Sequence, residues 1–186
     1  MLRTLLLVPT LCALTACTPA QMGQKVAGVP TETQTPTDTS VPLGSGGPCA
    51  PGYTRPDFAA LERDLAAARA RWAAAGVRDY SYDFAQVAAP VAFPDVRVTV
   101  RGGTVQGVTL KAGQTGEPGG QARATVEDRF AAIAQTLRGQ QGQKCPVVEA
   151  EYDARDGHPT RLYSGTREVN VADGWGEWKV TNFTRP

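Results

Sequence analysis

The segment Val96-Arg97-Val98-Thr99-Val100-Arg101-Gly102-Gly103 constrains the fold more than any other stretch of this 186-residue chain. Three valines alternate with polar residues, the period of a strand with one buried and one solvated face. The Gly-Gly pair can supply the positive φ that a tight hairpin turn needs. The chain then returns as a strand over 104–111, with Gly107 as a candidate bulge. A two-stranded antiparallel unit is therefore built into the sequence before any other element is considered.

The neighbouring segments extend that unit. Tyr80, Tyr82 and Phe84 alternate with Ser81, Asp83 and Ala85, which predicts another strand of the same kind. Upstream, Phe58, Leu61, Leu65, Ala68 and Trp72 recur at spacings of three and four, the apolar stripe of a helix over 56–76. Pro56 and Asp57 suit its start and Gly76 its stop. Arg63, Arg69 and Arg71 with Glu62 and Asp64 read as its solvated face. A second helix is predicted over 125–139, opened by Thr125 and Asp128 as a capping box and closed by Gly139. Its stripe is Phe130, Ile133, Ala134 and Leu137. Strands follow at 146–154 and 159–165, joined at Asp156-Gly157, and 167–183 reads as a last hairpin about Asp173-Gly174. The order is α-βββ-α-βββ: an α+β fold, an antiparallel sheet with its helices packed on one face.

The first residues set an address rather than a fold. Arg3 precedes an apolar run far shorter than the roughly 20 residues a spanning helix needs, the form of an export signal. Leu14-Thr15-Ala16-Cys17 resembles the lipobox of bacterial lipoproteins, with Leu three residues before the Cys and Ala just before it. That resemblance implies cleavage before Cys17 and acyl chains, palmitate among them, on this residue; the alternative is an ordinary signal cut after Ala16. One acyl chain holds a membrane marginally and two hold it stably. The expected organisation is a signal over 1–16, a lipidated Cys17 with a tether over 17–48, and one α+β domain over 49–186. Thr, Pro, Gly and Ser dominate the tether, which cannot bury enough surface to offset ordering entropy. It would span roughly 30 Å as a flexible chain. The expected location is the outer side of the cell membrane, or the outer membrane of a cell that has two.

Charge and cysteine content narrow the classes further. Lys plus Arg is 19 against 18 for Asp plus Glu, a balance that gives no electrostatic case for nucleic acid. Of four cysteines, Cys12 leaves with the signal and Cys17 takes the lipid, so Cys49 and Cys145 remain. In an exported chain this even pair predicts one disulfide, with two free thiols as the alternative. A catalytic dithiol would prefer the Cys-x-x-Cys spacing, which is absent.

Chemistry-bearing motifs are sparse. His158 is the sole histidine, lying between Gly157 and Pro159 with Asp153 and Ser164 near it in sequence. No Gly-x-Ser-x-Gly elbow accompanies it, and a zinc site would recruit more His or Cys than remain. It is read as an exposed turn residue, whose loss would cost at most about 1 kcal/mol. Glu149, Glu151, Asp153 and Asp156 lack EF-hand spacing, and the first three read as a solvated strand face. The Gly-rich loop over 112–121 lacks the frame of a phosphate-binding loop. No cofactor or metal is expected. Trp178 shares a face with Val180 and reads as core, whereas Trp175 lies on the turn or the other face. It is either a satellite of the core or a contact for an envelope protein or glycan.

The segments "RWAAAGVRDYSYDF", "VRVTVRGGTVQGVT", "TVEDRFAAIAQTL" and "YDARDGHPTRLYSG...VADGWGEWKVTNF" together resemble the DUF6174 family of small secreted bacterial domains of unknown function. The resemblance covers nearly all of the chain after the tether. Many members carry cysteines after the Tyr-rich strand, and "AQVAAPVAFP" here has none, so no role of those cysteines is carried over. The resemblance implies no activity, cofactor or catalytic residue. The function expected is thus a lipid-anchored envelope protein acting as a non-catalytic binding or assembly module. The alternative is an envelope hydrolase using carboxylates or His158.

Overall fold

A computed structural model of the protein describes residues 47–186. The expected export signal, the lipobox-like motif at Cys17 and nearly all of the expected tether lie outside the described residues. Helix α1, Phe58–Ala75, starts where the Asp57 carboxylate accepts from the Ala60 amide at 3.0 Å. It stops where Gly76 turns left-handed at φ 60°. Leu65, Ala68 and Trp72 of its stripe are buried, with Phe58 and Leu61 packed beside them.

Strands β1 (Tyr80–Ala88), β2 (Val91–Ala92), β3 (Val96–Arg101) and β4 (Thr104–Leu110) follow. Gly102 and Gly103 both take positive φ, 58° and 76°, as the β3–β4 turn requires. The β3–β4 register shifts where Thr99 faces Gly107 and Val100 faces Val105, the expected bulge. Helix α2, Val126–Gln141, opens on the capping box of Thr125 and Asp128. Strands β5 (Pro146–Tyr152), β6 (Pro159–Thr166) and β7 (Gly176–Thr184) complete the chain. All pairings are antiparallel, in the order β4-β3-β1-β7-β6-β5, with β2 beside the end of β1.

Three details differ from the sequence reading. The two-residue β2 was not expected, and it forms because the chain doubles back on Val87 and Ala88 after Ala89-Pro90. Helix α2 runs through Gly139 to Gln141, and Gly142 caps it instead. The segment 167–171 forms no strand: its pairing is one bridge between Glu168 and Cys49, and the whole of 167–175 connects β6 to β7.

The apolar face of the sheet carries Tyr80, Tyr82, Phe84, Val96, Val98, Val100, Leu162, Trp178 and Val180 against Leu65, Trp72, Phe130, Ile133 and Leu137 of the helices. Two tyrosines tie α2 to β1. The Tyr80 hydroxyl accepts from the Val126 amide at 2.8 Å, and the Tyr82 hydroxyl donates to the Ala124 carbonyl. Burial pushes both phenols up, so they serve as neutral hydrogen-bond groups. The opposite face is polar. It holds one cluster around Asp83 and another in which Arg161 bonds Glu149, Glu151 and Glu177.

Candidate functional site

The corner between β5 and β6 is where the expected turn histidine sits. Asp156-Gly157 does turn, with Gly157 at φ 83°. The corner is packed down on α1, however: a Cβ on Gly157 would lie 2.2 Å from the Ala68 carbonyl oxygen. His158 is consequently 3 % exposed, not a surface residue. Its Nδ1 lies 2.6 Å from Asp156 Oδ1, and its ring stacks on Phe183 with centroids 4.1 Å apart. The other Asp156 oxygen accepts from Arg185. Burial raises the Asp156 carboxyl, but the His158 amide, the His158 ring and Arg185 outweigh it and hold the group below the usual range.

Asp153 stands just past the end of β5, so it leaves the strand face that Glu149 and Glu151 share. Its carboxylate accepts from the Arg155 and Asp156 amides and pairs with the Arg155 guanidinium. Ligand atoms of Asp153, Asp156 and His158 lie within 4.8 Å of one another. The two carboxylates accept from backbone amides and from Arg155 and Arg185, and His158 Nδ1 is paired with Asp156, so the three groups hold the corner together. Ser164 does not join it; it borders a separate cleft between α2 and the sheet. The structure brings Asp156 and His158 together and leaves Ser164 apart from them.

A larger concavity lies between the helices. It is a groove of about 690 Å³, in the size range of small-ligand sites. Trp72, Ala73 and Val77 line one side, Phe130 the other, and Arg69 and Arg78 stand at its edges. Each edge is fixed by a polar contact. Trp72 Nε1 donates to Glu127 Oε1 at 2.8 Å, Arg69 donates to the Phe130 carbonyl at 2.8 Å, and Arg78 donates to the Gly102 carbonyl at 3.1 Å. The Arg69 guanidinium also lies 5.8 Å from the Phe130 ring centroid. Thr125, the hydroxyl that borders the groove, is committed to the α2 cap through Asp128. The groove thus offers apolar walls, two guanidinium groups and the Glu127 carboxylate, with the Thr125 hydroxyl held by Asp128 in the α2 cap. The spacing of α1 places Arg69 on its solvated face, and the residue is exposed there. Only the closeness of α1 to α2 gives it a neighbour, and no local pattern encodes that.

Trp178 is core, 4 % exposed, as its alternation with Val180 requires. Trp175 is 37 % exposed. Its ring stacks on Tyr163 at 5.9 Å, and it lies against Gly165, where a Cβ would meet Trp175 Cβ at 2.8 Å. It therefore has packing partners and a solvent face at once. Cys49 and Cys145 form the expected disulfide, with Cα atoms 5.6 Å apart.

These features define a small α+β module, a six-stranded antiparallel path with two helices on one face and a ligand-sized groove between those helices. The model of the family of unknown function DUF6174 matches residues 64–185, and the chain belongs to that family. No curated protein and no solved structure matches the chain.

Proposed function

We propose that this protein is a lipid-anchored, non-catalytic binding or assembly module of the bacterial cell envelope. Cys17 holds it at a membrane and the α1–α2 groove meets its partner. The lipobox motif supports the anchor. No helix among the described residues is long and apolar enough to cross a membrane. The groove itself carries the binding reading. Its walls are apolar, while Arg69 and Arg78 favour an acidic group at its edge. The occupant is an anionic amphiphile or an acidic amphipathic segment of an envelope protein. Its apolar body lies over Trp72 and Phe130, and its carboxylate faces the two arginines.

The test is photo-crosslinking in intact cells from a reactive residue at Ala73, with Trp175 as the comparison position. Ala73 is expected to capture a partner, and Arg69→Glu with Arg78→Glu to reduce that capture at least tenfold. Both arginines are exposed, so the fold should survive the reversal. Capture from Trp175 alone would move the binding face to the open side of the sheet. Cys17→Ser is expected to release the chain from membranes or to leave an unprocessed precursor. A Cys17→Ser protein that matures and partitions into detergent like the parent would refute the anchor.

A further inference from the structure

The groove between α1 and α2 is lined by three charged side chains, Arg69, Arg78 and Glu127, and none of the ion pairs among the described residues includes any of them. Each meets a neutral group instead. Arg69 donates to the Phe130 carbonyl at 2.8 Å and Arg78 to the Gly102 carbonyl at 3.1 Å, while Glu127 Oε1 accepts from the Trp72 indole at 2.8 Å. Among the described residues Glu127 Oε2 has no protein partner. A guanidinium has five donors and a carboxylate about four acceptor sites, so each group keeps its charge and spare bonding capacity. All three residues are exposed.

The helices fix the order of these charges along the groove. Arg69 meets Phe130 and Trp72 meets Glu127, so the two helices run past each other in opposite directions. Glu127 therefore lies about one turn from Arg69, on the side toward Arg78. Counted at the helical rise, Arg69 and Arg78 are roughly 13 Å apart, with the carboxylate between them. The pattern is plus, minus, plus. A single-headed amphiphile answers one of these charges and leaves the other two. An extended peptide can answer all three, because side chains at i, i+2 and i+4 of a strand point the same way and span roughly 13 Å. A helix of that length, about 10 Å across, occupies roughly 1,000 Å³, more than the groove of about 690 Å³ holds.

We propose that the α1–α2 groove takes an extended segment of an envelope protein with the charge pattern acid-x-Lys-x-acid. Its two carboxylates meet Arg69 and Arg78, and its ammonium meets Glu127 Oε2. The aliphatic stem of the lysine lies against Trp72 and Ala73, which line the groove at that level. The assignment rests on the groove being the binding face, as proposed above, and chooses the peptide over the single-headed amphiphile.

The test is fluorescence anisotropy of labelled peptides on the full chain in nonionic detergent at pH 7 and fixed ionic strength. The peptide acetyl-Glu-Ser-Lys-Ser-Glu-amide is expected to bind at least threefold more tightly than the same peptide with Gln in place of Lys. It should bind about tenfold more tightly than the charge-inverted acetyl-Lys-Ser-Glu-Ser-Lys-amide. Glu127→Gln keeps an acceptor for the Trp72 indole and removes the charge, so it should abolish the preference for Lys over Gln. Equal affinity for the Lys and Gln peptides, or a preference that survives Glu127→Gln, would overturn the proposal. Octanoate is the single-headed comparison. If octanoate binds in a way that needs both arginines while no peptide binds, the peptide assignment falls and the groove reading stands. If Arg69→Glu with Arg78→Glu alters the binding of none of these ligands, both fall.

Discussion

His158 shows what a single residue's sequence context conceals. Asp156-Gly157 is a turn signal at the residue level, and the turn is there, with Gly157 at φ 83°. Burial of the next residue depends on Phe183 and Arg185, groups brought in by the last strand, 29 positions beyond Asp156 in the case of Arg185. No local pattern announces that. The ring's stack on Phe183 and its bond to Asp156 put its loss on the scale of core changes. His158→Ala is expected to cost about 2–4 kcal/mol, because it opens a cavity and leaves the buried Asp156 carboxylate short of a donor. Urea unfolding monitored by tryptophan fluorescence measures it. A cost of about 1 kcal/mol or less would return His158 to the surface role that its sequence neighbours imply.

At the scale of elements, periodicity was the legible part. The alternation over 80–84 and 96–100 reports a buried face directly, and the helix caps at Asp57 and Thr125 are local chemistry that reads in order. Strand order was not legible, since β7 pairs with β1 from nearly a hundred residues away. Nor was the bulge that this pairing contains. Ser81 faces Thr184 while Asp83 faces Thr181, so β7 holds one extra residue, Asn182, at φ 49°. The shift turns Phe183 to the core, where it stacks on Tyr80 at 5.2 Å. It also lets the Asn182 amide donate to Asp83 at 2.8 Å, beside Arg97 at 3.0 Å and Lys111 at 2.9 Å. Burial raises the Asp83 carboxyl, but these three donors prevail and bring it to about 2, from an ordinary 3.8. A depressed carboxyl contributes its stability in full above the unfolded value and loses it as pH falls through the folded one. The contribution should therefore be constant above about pH 5 and disappear between about pH 4 and 2. It is worth about 1–2 kcal/mol, since Lys111 and Arg97 are partly solvated. Unfolding midpoints across that window should fall more steeply for the parent than for Asp83→Asn. Equal slopes would show that the three donors leave Asp83 untouched.

For the molecule as a whole, the consequential contact is where the chain enters the fold. Cys49 and Cys145 are 96 positions apart, and their bridge fixes the first described residues beside β5 and β6. Hydrogen bonds continue the attachment: Ala50 N to the Arg167 carbonyl at 2.7 Å, Val169 N to the Pro48 carbonyl at 2.9 Å, and the Tyr53 hydroxyl to the Pro146 carbonyl at 2.9 Å. Cysteine parity made the pair legible, but not the strip of backbone bonds around it. A loop of this length gives a bridge worth up to about 4–5 kcal/mol in the chain-entropy model. The apolar cluster of helices and sheet includes neither cysteine, so reduction should loosen the entry segment before the sheet. If the chain is tethered through Cys17, this strip is also where a pull from the membrane would be borne. Peptide mapping without reduction should recover Cys49 joined to Cys145, and two alkylatable thiols would refute the bridge. The Cys49→Ser, Cys145→Ser variant should unfold about 2–5 kcal/mol earlier yet keep a cooperative transition. Hydrogen exchange locates the change. Amides of Ala50 and Val169 should lose protection by tenfold or more in the variant, while those of Tyr82 and Val98 follow only the global loss. Uniform loss of protection across all four positions would mean that the bridge supports the whole core rather than the segment by which the chain enters it.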